Sequence, residues 1–191
     1  FFYYGPMFRR ERPQSGRVRQ FHQLGVEYVG KLNHLNDLEI LVLAEKFLSD
    51  IGIRDELILE INTLGNEQSR IDYNNALRAY LRENISKLSD NSKDRLKINP
   101  LRILDSKEAK DQEVISKSPN INDYLDSESK QFFELLLSGL DTLKINYKLN
   151  RFLVRGLDYY NHTAFEYKMT EKKSQNAVLA GGRYDGLVKS F

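Results

Sequence analysis

Cysteine is absent from this 191-residue sequence. Without it the chain has no disulfide framework, no thiolate zinc site, no cysteine nucleophile and no redox pair, so nothing requires an oxidising compartment. Long apolar runs are missing too, since none approaches the ~20 residues of a membrane-spanning helix, and the first residues do not resemble a secretion signal. The sequence therefore predicts a cytoplasmic protein without a membrane partner.

Several well-known catalytic and nucleotide-binding motifs are also missing. There is no G-x-x-x-x-G-K-[ST] loop and no G-x-G-x-x-G turn, which argues against a Walker or Rossmann phosphate site. No G-x-S-x-G elbow is present, and His22, His34 and His162 lack the spacing of a zinc site. We therefore expect no metal held directly by the protein.

The composition is that of a globular protein, with 40% hydrophobic and 29% charged residues. A net charge of +2 is too small to indicate nucleic-acid binding. The distribution of charge says more, because the stretch FRRERPQSGRVR (8–19) holds five arginines, one glutamate and no lysine. Arginine offers a planar fork to phosphate or carboxylate, so this cluster favours bidentate anion recognition.

Periodicity and turn residues predict an α+β fold with one mostly antiparallel sheet. A hairpin is predicted over residues 1–12 and 17–29, around the turn PQSG. The next helix, over 38–51, is predicted to be capped by Asp37 and ended by Gly52. Further helices are predicted from Asn66 to near Leu88 and over 127–143, and further strands over 57–63, 145–150, 163–169 and 176–181. Residues 86–130, rich in Ser, Asn, Asp and Lys, are predicted to form a small helical insertion.

The second strand of the predicted hairpin has two different faces, because alternate side chains of a strand point to opposite sides. Even positions from Val18 to Tyr28 are the more apolar and are predicted to face the core. The odd positions form a possible ligand platform on which Phe21 could stack a base, while Gln23 and Glu27 could bind an amine or an imidazole. Phe21 and Glu27 are six residues apart, roughly 20 Å, about the length of a nucleotide joined to a small amino acid. The alternative interpretation is that these side chains form an ordinary solvated face of the sheet.

Two more segments have a composition that is typical of a ligand-binding site. In LVRGLDYYNHTAFEY (153–167), Arg155 stands beside a glycine and is followed by a polar and aromatic run. In LAGGRYDGL (179–187), the pair Gly181–Gly182 permits close backbone approach and Tyr184 could enter a pocket. A simple turn at the glycines remains the alternative, as does a surface ion pair between Arg9 and Glu11 in the first segment.

These segments resemble the histidyl-tRNA synthetase family. GPMFRRERPQSGRVRQFHQLGVE (5–27) resembles motif 2 of class II aminoacyl-tRNA synthetases in its histidyl form, and LVRGLDYYNHTAFE (153–166) and AGGRYDGL (180–187) resemble its two signature peptides. The resemblance covers the whole chain. It implies a class II fold with a mostly antiparallel sheet flanked by helices, a catalytic core of residues 1–69 and 146–191, and a helical insertion domain of residues 70–145.

The resemblance also implies histidine activation by ATP and transfer to histidine tRNA, with Mg²⁺ as cofactor. It implies two catalytic arginines, Arg9 on the α-phosphate and Arg155. The residues implied for ATP binding are Arg9, Glu11, Arg17 and Phe21. Those implied for histidine binding are Gln23, Glu27, Arg155, Tyr159, Tyr160 and Tyr184.

Nothing in the sequence corresponds to motif 1, motif 3 or the anticodon-binding domain, so we expect a piece of a longer, homodimeric protein that is weakly active or inactive alone. Two alternatives remain: the synthetase-like regulatory subunit of ATP phosphoribosyltransferase, and a non-catalytic RNA-binding module. The cations of the insertion are expected either to touch the tRNA acceptor arm or to form a solvated face; they are Lys87, Lys93, Arg95 and Lys97.

Overall fold

The computed structural model describes residues 1–10, 18–155, 159–171 and 177–187. In these ranges the strands are β1 (Phe2–Phe8), β2 (Gln20–Val26), β3 (Leu57–Thr63), β4 (Tyr147–Leu149), β5 (Asn161–Met169) and β6 (Ala177–Arg183). The helices are α1 (His34–Asp50), α2 (Glu67–Glu83), α3 (Asp90–Ile98), α4 (Ala109–Ser116) and α5 (Ser127–Thr142). The predicted α+β fold class is confirmed.

The strands form two sheets. β1 and β2 pair with each other as an antiparallel hairpin, with Tyr3 opposite Gly25 and Met7 opposite Phe21. The other sheet has the order β4-β3-β5-β6, in which β3 and β4 are parallel and the remaining pairs are antiparallel. The prediction of a single sheet is wrong for the described residues, because each strand of the hairpin pairs only with the other.

Helices α1 and α5 cover one face of the four-stranded sheet. Alternate residues of β5, such as Phe165 and Tyr167, point into this core together with buried leucines of both helices. The helices come close at Gly139 of α5, where an added Cβ would lie 2.5 Å from the side chain of Leu38. Because the helices occupy one face, the polar residues between the core positions of β3 and β5 lie on the opposite face.

Helix α1 begins differently from its prediction. The side chain of Asn33, directly before the helix, accepts a hydrogen bond from the backbone N–H of Leu35 at 2.9 Å. This is the geometry of an N-cap, so the prediction that Asp37 caps the helix is wrong. Asp37 lies inside the first turn, where it is available to another partner. After the helix, Gly52 adopts a φ of 77°, as a residue that ends a helix often does.

A second core lies in the inserted segment, between Tyr73 of α2 and Leu125. Beside it the fully buried carboxylate of Asp111 accepts hydrogen bonds from the hydroxyls of Ser89, Ser92 and Ser106 and from the backbone N–H of Ser89, at 2.5–2.8 Å. These contacts tie the start of α3 to α4. The boundaries at 69/70 and 145/146 stay predictions, and α5 packs with the four-stranded sheet rather than with this core.

Candidate active site

Arg9 and Phe21 lie together on the odd-numbered face of the hairpin. The guanidinium carbon of Arg9 is 4.3 Å from the centre of the Phe21 ring, a cation–π contact. Its Nε donates to the carbonyl of Val18 at 2.9 Å, which keeps the arginine beside the ring. Two residues assigned to ATP by the resemblance are therefore neighbours, whereas Glu11 and Arg17 lie outside the described residues.

Gln23 and Gly25 share a neighbour that the sequence reasoning missed. Gln23 Nε2 donates to the hydroxyl of Tyr3 at 2.6 Å. The Tyr3 ring lies over Gly25, where an added Cβ would be 2.1 Å from it. An aromatic residue placed opposite a glycine on an antiparallel pair is a known packing solution, and this was the signal available in the sequence. Tyr3 therefore orients a residue expected to bind histidine.

The even-numbered face of the hairpin does not enter a core within the described residues. Phe2 and Tyr4 are 79% and 72% exposed, and Leu24 and Val26 are 44% and 42% exposed. The half-buried positions are the odd ones, including Phe21 and Glu27. The alternation itself was predicted, but the prediction of which face is covered is wrong for this part of the chain.

Three tyrosines form one aromatic cluster next to Arg155. Tyr159 and Tyr160 stack with ring centres 4.9 Å apart, and the Tyr184 ring meets each of them edge-on at 6.1 Å. The Arg155 guanidinium lies 5.3 Å from the centre of the Tyr160 ring. Tyr160 also covers Gly182, where a Cβ would be 3.0 Å from the ring. The two signature segments thus meet in space.

Glu27 is electrostatically linked to this cluster. Burial raises the pKa of the Tyr159 hydroxyl, and the neighbouring Tyr160 and the carboxylate of Glu27 raise it further, against the opposing charge of Arg155. Burial also raises the pKa of Glu27 itself. The charge of Glu27 therefore acts on this cluster. No contact joins Arg9 to Arg155 among the described residues, and their convergence on one ligand remains a prediction.

A row of charged side chains crosses the face of the sheet opposite α1 and α5. Arg155 Nη1 lies 3.2 Å from Glu166, and Lys168 Nζ lies 3.1 Å from Glu166 and 2.8 Å from Glu60. Asn150 donates to Glu60 at 2.6 Å. We call these five residues the charged row. A groove of about 220 Å³ runs beside it, with the loop containing Asp105 and Lys107 on its other side.

The charged row shifts the ionisation of its members. Burial disfavours the charge on Glu60, but the hydrogen bonds from Lys168 and Asn150 outweigh it and lower the pKa of Glu60 below its ordinary value. Burial likewise opposes the charge of Lys168, whose pKa is nevertheless raised by the bonds to Glu60 and Glu166. Both groups therefore stay charged at neutral pH.

Arg183 is a second residue that the sequence reasoning missed. It donates to Asp37 through Nε at 3.0 Å and Nη2 at 2.7 Å, and to Asp185 through Nη1 at 2.8 Å. Asp37 also accepts from the hydroxyl of Thr163 at 2.5 Å. These contacts fasten the end of β6, directly before Tyr184, to β5 and to the first turn of α1. An arginine in a strand of small residues was the available signal, because a buried cation needs an acidic partner.

On α3, two cations of the insertion form ion pairs with acidic residues of the same helix. Lys93 pairs with Asp90 at 2.8 Å and Lys97 with Asp94 at 2.9 Å, both between residues three apart. Local pairing of this kind is typical of a solvated helix surface. A tRNA contact by these residues stays a prediction.

In the described part of the chain, no three or more His, Asp or Glu side chains are grouped so as to hold a metal ion. None of the helices there is long and apolar enough to cross a membrane.

The sequence and the fold are both similar to those of known proteins. The family model for histidyl-tRNA synthetase matches residues 1–191. The histidine–tRNA ligase of Prochlorococcus marinus is 50% identical over 189 residues, which are 99% of this chain and 44% of that protein. The apo histidyl-tRNA synthetase of S. aureus superposes with a TM-score of 0.73 at 37% identity, over 98% of this chain and 44% of its own.

A more distant structural match shows the fold alone. A Bacillus halodurans protein described as an ATP phosphoribosyltransferase regulatory subunit/histidyl-tRNA synthetase superposes with a TM-score of 0.60 at 24% identity, covering 98% of this chain and 52% of that one. The chain spans a little under half the length of the ligases it matches. On the family model and the whole-chain identity together, the chain belongs to the histidyl-tRNA synthetase family.

Proposed function

We propose that the protein containing these residues is a histidine–tRNA ligase, which activates histidine with ATP and then transfers it to histidine tRNA. One observation carries the proposal: Arg155 and the cluster of Tyr159, Tyr160 and Tyr184 converge, within electrostatic reach of Glu27. This arrangement combines an anion-binding group with aromatic and acidic groups suited to a small amino acid.

The first step needs no general base. The carboxylate of histidine is already ionised at neutral pH and attacks the α-phosphorus of ATP, which releases pyrophosphate and leaves the adenylate. Negative charge builds on the phosphoryl oxygens, and preorganised cations stabilise such a transition state. We assign this role to Arg155 and Arg9, and we assign stacking of the adenine to Phe21. Glu11 and Arg17 are proposed as further ATP contacts.

Recognition of histidine is assigned to groups that pair with its polar atoms. Glu27 and Tyr160 would pair with the two imidazole nitrogens, and Gln23 would hold the amino or carboxylate end. Tyr159 and Tyr184 would form the pocket wall. A site whose buried polar groups need partners rejects analogues that leave them unpaired, so this pairing accounts for specificity.

Magnesium has no preformed site among the described residues, which lack a cluster of acidic or histidine side chains. In phosphoryl-transfer enzymes the ion is bound largely through substrate phosphates with one or two carboxylates. We therefore propose that Mg²⁺ enters with ATP. In keeping with the family, we also propose a homodimeric, cytoplasmic parent protein that uses histidine tRNA as acceptor.

The assignment of Arg155 is tested by Arg155→Ala in the full-length protein. Loss of a transition-state donor of this kind costs about 10²–10³ in rate, so histidine-dependent ATP–pyrophosphate exchange should fall by that factor. Arg151→Ala is the matched control, because Arg151 instead contacts the carbonyl of Ser116 and the ring of Phe152.

The control variant should keep its exchange rate within about threefold of the parent, as surface substitutions usually do. Equal rates for Arg155→Ala and the parent would contradict the role of Arg155. A full-length parent without any exchange activity would contradict the ligase itself and favour the regulatory-subunit alternative.

A further inference from the structure

We propose that Glu166 is a positioning residue that holds the Arg155 guanidinium ready for the α-phosphate without neutralising it. The inference rests on the proposed function, because it assigns a residue to the site of that reaction. Glu166 contacts Arg155 through a single pair of atoms, Oε1 and Nη1, at 3.2 Å. Within the described residues, Arg155 Nε is buried and has no hydrogen-bond partner. The ion pair with Glu166 therefore anchors the guanidinium through Nη1 alone, by one pair of atoms rather than two.

The position of Glu166 follows from strand geometry. Residues of β5 alternate between the helix-covered face and the opposite face, so Glu166 and Lys168 lie on the same side of the sheet as Arg155. In the antiparallel register, Glu166 lies directly opposite Glu60 of β3. Two carboxylates in opposed positions repel each other, and a pair of this kind needs a cation between them.

Lys168 and Arg155 supply the cations. The Lys168 ammonium bridges both carboxylates, at 2.8 Å from Glu60 and 3.1 Å from Glu166. Two carboxylates and two cations balance the charge on this part of the sheet. Glu166 divides its charge between Lys168 and Arg155, so its hold on the arginine is weaker than a bidentate ion pair would be. This weaker ion pair fixes the position of Arg155, and the guanidinium can still interact with negative charge that develops on a ligand.

A second contact restricts the same side chain. The Arg155 guanidinium lies 5.3 Å from the centre of the Tyr160 ring, and side chains of both Arg155 and Glu166 are about one-fifth exposed, at 21% and 18%. In this half-buried setting an ion pair is less screened than at the surface. Without Glu166 the long arginine side chain would lose its ion pair, and misplacement by about 1 Å can cost on the order of 10²-fold in rate.

The test compares two chemically identical changes in the full-length ligase, Glu166→Gln and Glu60→Gln. Both remove one carboxylate from the charged row at similar burial, but Glu60 contacts Lys168 and Asn150 and not Arg155. Glu166→Gln should lower kcat for histidine-dependent ATP–pyrophosphate exchange by about 10–100-fold, with KM for ATP and for histidine within about threefold of the parent. Glu60→Gln should stay within about threefold in kcat.

A double-mutant cycle separates positioning from a general loss of structure. In an Arg155→Ala background, Glu166→Gln should change kcat by less than about twofold, since there is no guanidinium left to position. A further tenfold loss in that background, or equal kcat values for the two glutamine variants, would overturn the inference. If Glu166→Gln does not fold, Glu166→Asp takes its place in the test. For either variant, an effect on KM without an effect on kcat would also overturn the inference.

The outcomes for the two proposals differ. Exchange activity in the parent with no effect of Glu166→Gln would reject the role of Glu166 and leave the ligase assignment intact. Absence of exchange in the parent would reject both.

Discussion

His162 is a buried histidine in an unusual backbone conformation. Its φ is 43°, and its backbone N–H and C=O pair with Gly65 and Leu64 at 2.8 and 2.6 Å, which joins the start of β5 to the turn before α2. The residue is 4% exposed, and the centre of its ring lies 4.8 Å from that of Phe132. Within the described residues its Nδ1 has no hydrogen-bond partner. This environment favours the neutral imidazole.

Burial lowers the pKa of His162 below its ordinary value of 6.5, with the carboxylates of Asp37, Asp126 and Asp185 opposing the shift. Above that pH the imidazole is neutral in both the folded and the unfolded chain. As the pH falls below 6.5, the unfolded chain takes up a proton that the folded protein resists, so the free energy of unfolding decreases until the lower native pKa is reached.

We therefore predict that His162→Asn makes the stability less dependent on pH on the acid side of 6.5. Asparagine tolerates positive φ and does not titrate there, although loss of the ring will lower stability at every pH. The measurement is the urea midpoint at pH 7 and at pH 5 for the parent, His162→Asn and His22→Asn, the last at an exposed position. A parent-like pH dependence in His162→Asn would contradict the prediction.

Strand β6 shows how one element serves the core and the site with adjacent residues. Gly181 and Gly182 face opposite sides of the sheet. A Cβ on Gly181 would meet the buried Phe165 ring at 2.5 Å, and a Cβ on Gly182 would meet the Thr163 carbonyl oxygen at 2.7 Å and the Tyr160 ring at 3.0 Å. Both glycines are therefore required by close approach, but for different reasons.

Both alanine variants should lower stability, since a Cβ on Gly182 would also meet the Thr163 carbonyl oxygen, but only Gly182→Ala should impair ligand binding. Gly181→Ala overpacks the core and should lower the free energy of unfolding by about 1–3 kcal/mol with little change in KM for histidine. Gly182→Ala should displace Tyr160 and raise KM for histidine by about tenfold, the equivalent of one hydrogen bond. Denaturant unfolding and exchange kinetics on the full-length protein measure the two effects. A KM effect confined to Gly181→Ala would contradict the assignment of faces.

At the scale of the whole molecule, the proposed site depends on two sheets that share no backbone hydrogen bonds in the described ranges. Arg9 and Phe21 are on the two-stranded hairpin, whereas Arg155 precedes β5 and pairs with Glu166 of the four-stranded sheet. A two-stranded hairpin is at best marginally stable on its own. The exposed apolar face of Phe2, Tyr4, Phe8, Leu24 and Val26 gives the hairpin little support from the rest of these residues.

We therefore predict that the 191 residues alone have a histidine-dependent ATP–pyrophosphate exchange rate at least about 100-fold below that of the full-length protein, because misplacement of the two arginines carries a cost of this size. Side-by-side exchange assays at equal protein concentration measure the ratio. Turnover equal to that of the full-length protein would show that the hairpin holds its position without further support.

Local patterns of apolar and polar residues predicted much of the fold. The apolar periodicity of α5 predicted a buried face, and Phe133, Leu136 and Leu140 are indeed buried there. The largely apolar β3 was predicted as a buried strand, and five of its seven residues are buried. Alternation also separated the two faces of β2. It could not tell which face is covered, because that depends on the elements packed against the hairpin.

The sequence by itself determined the family, the main elements and the candidate residues, since these depend on residue type and short spacing. Only the tertiary structure decided their partners. Arg183 meets Asp37 across 146 positions and Lys168 meets Glu60 across 108, and neither pairing has a local signal. The same holds for Glu166 and Arg155, which are 11 residues apart in the chain and meet at the face of the sheet opposite α1 and α5. Charges separated in this way are brought together by packing, and packing is a property of the folded chain.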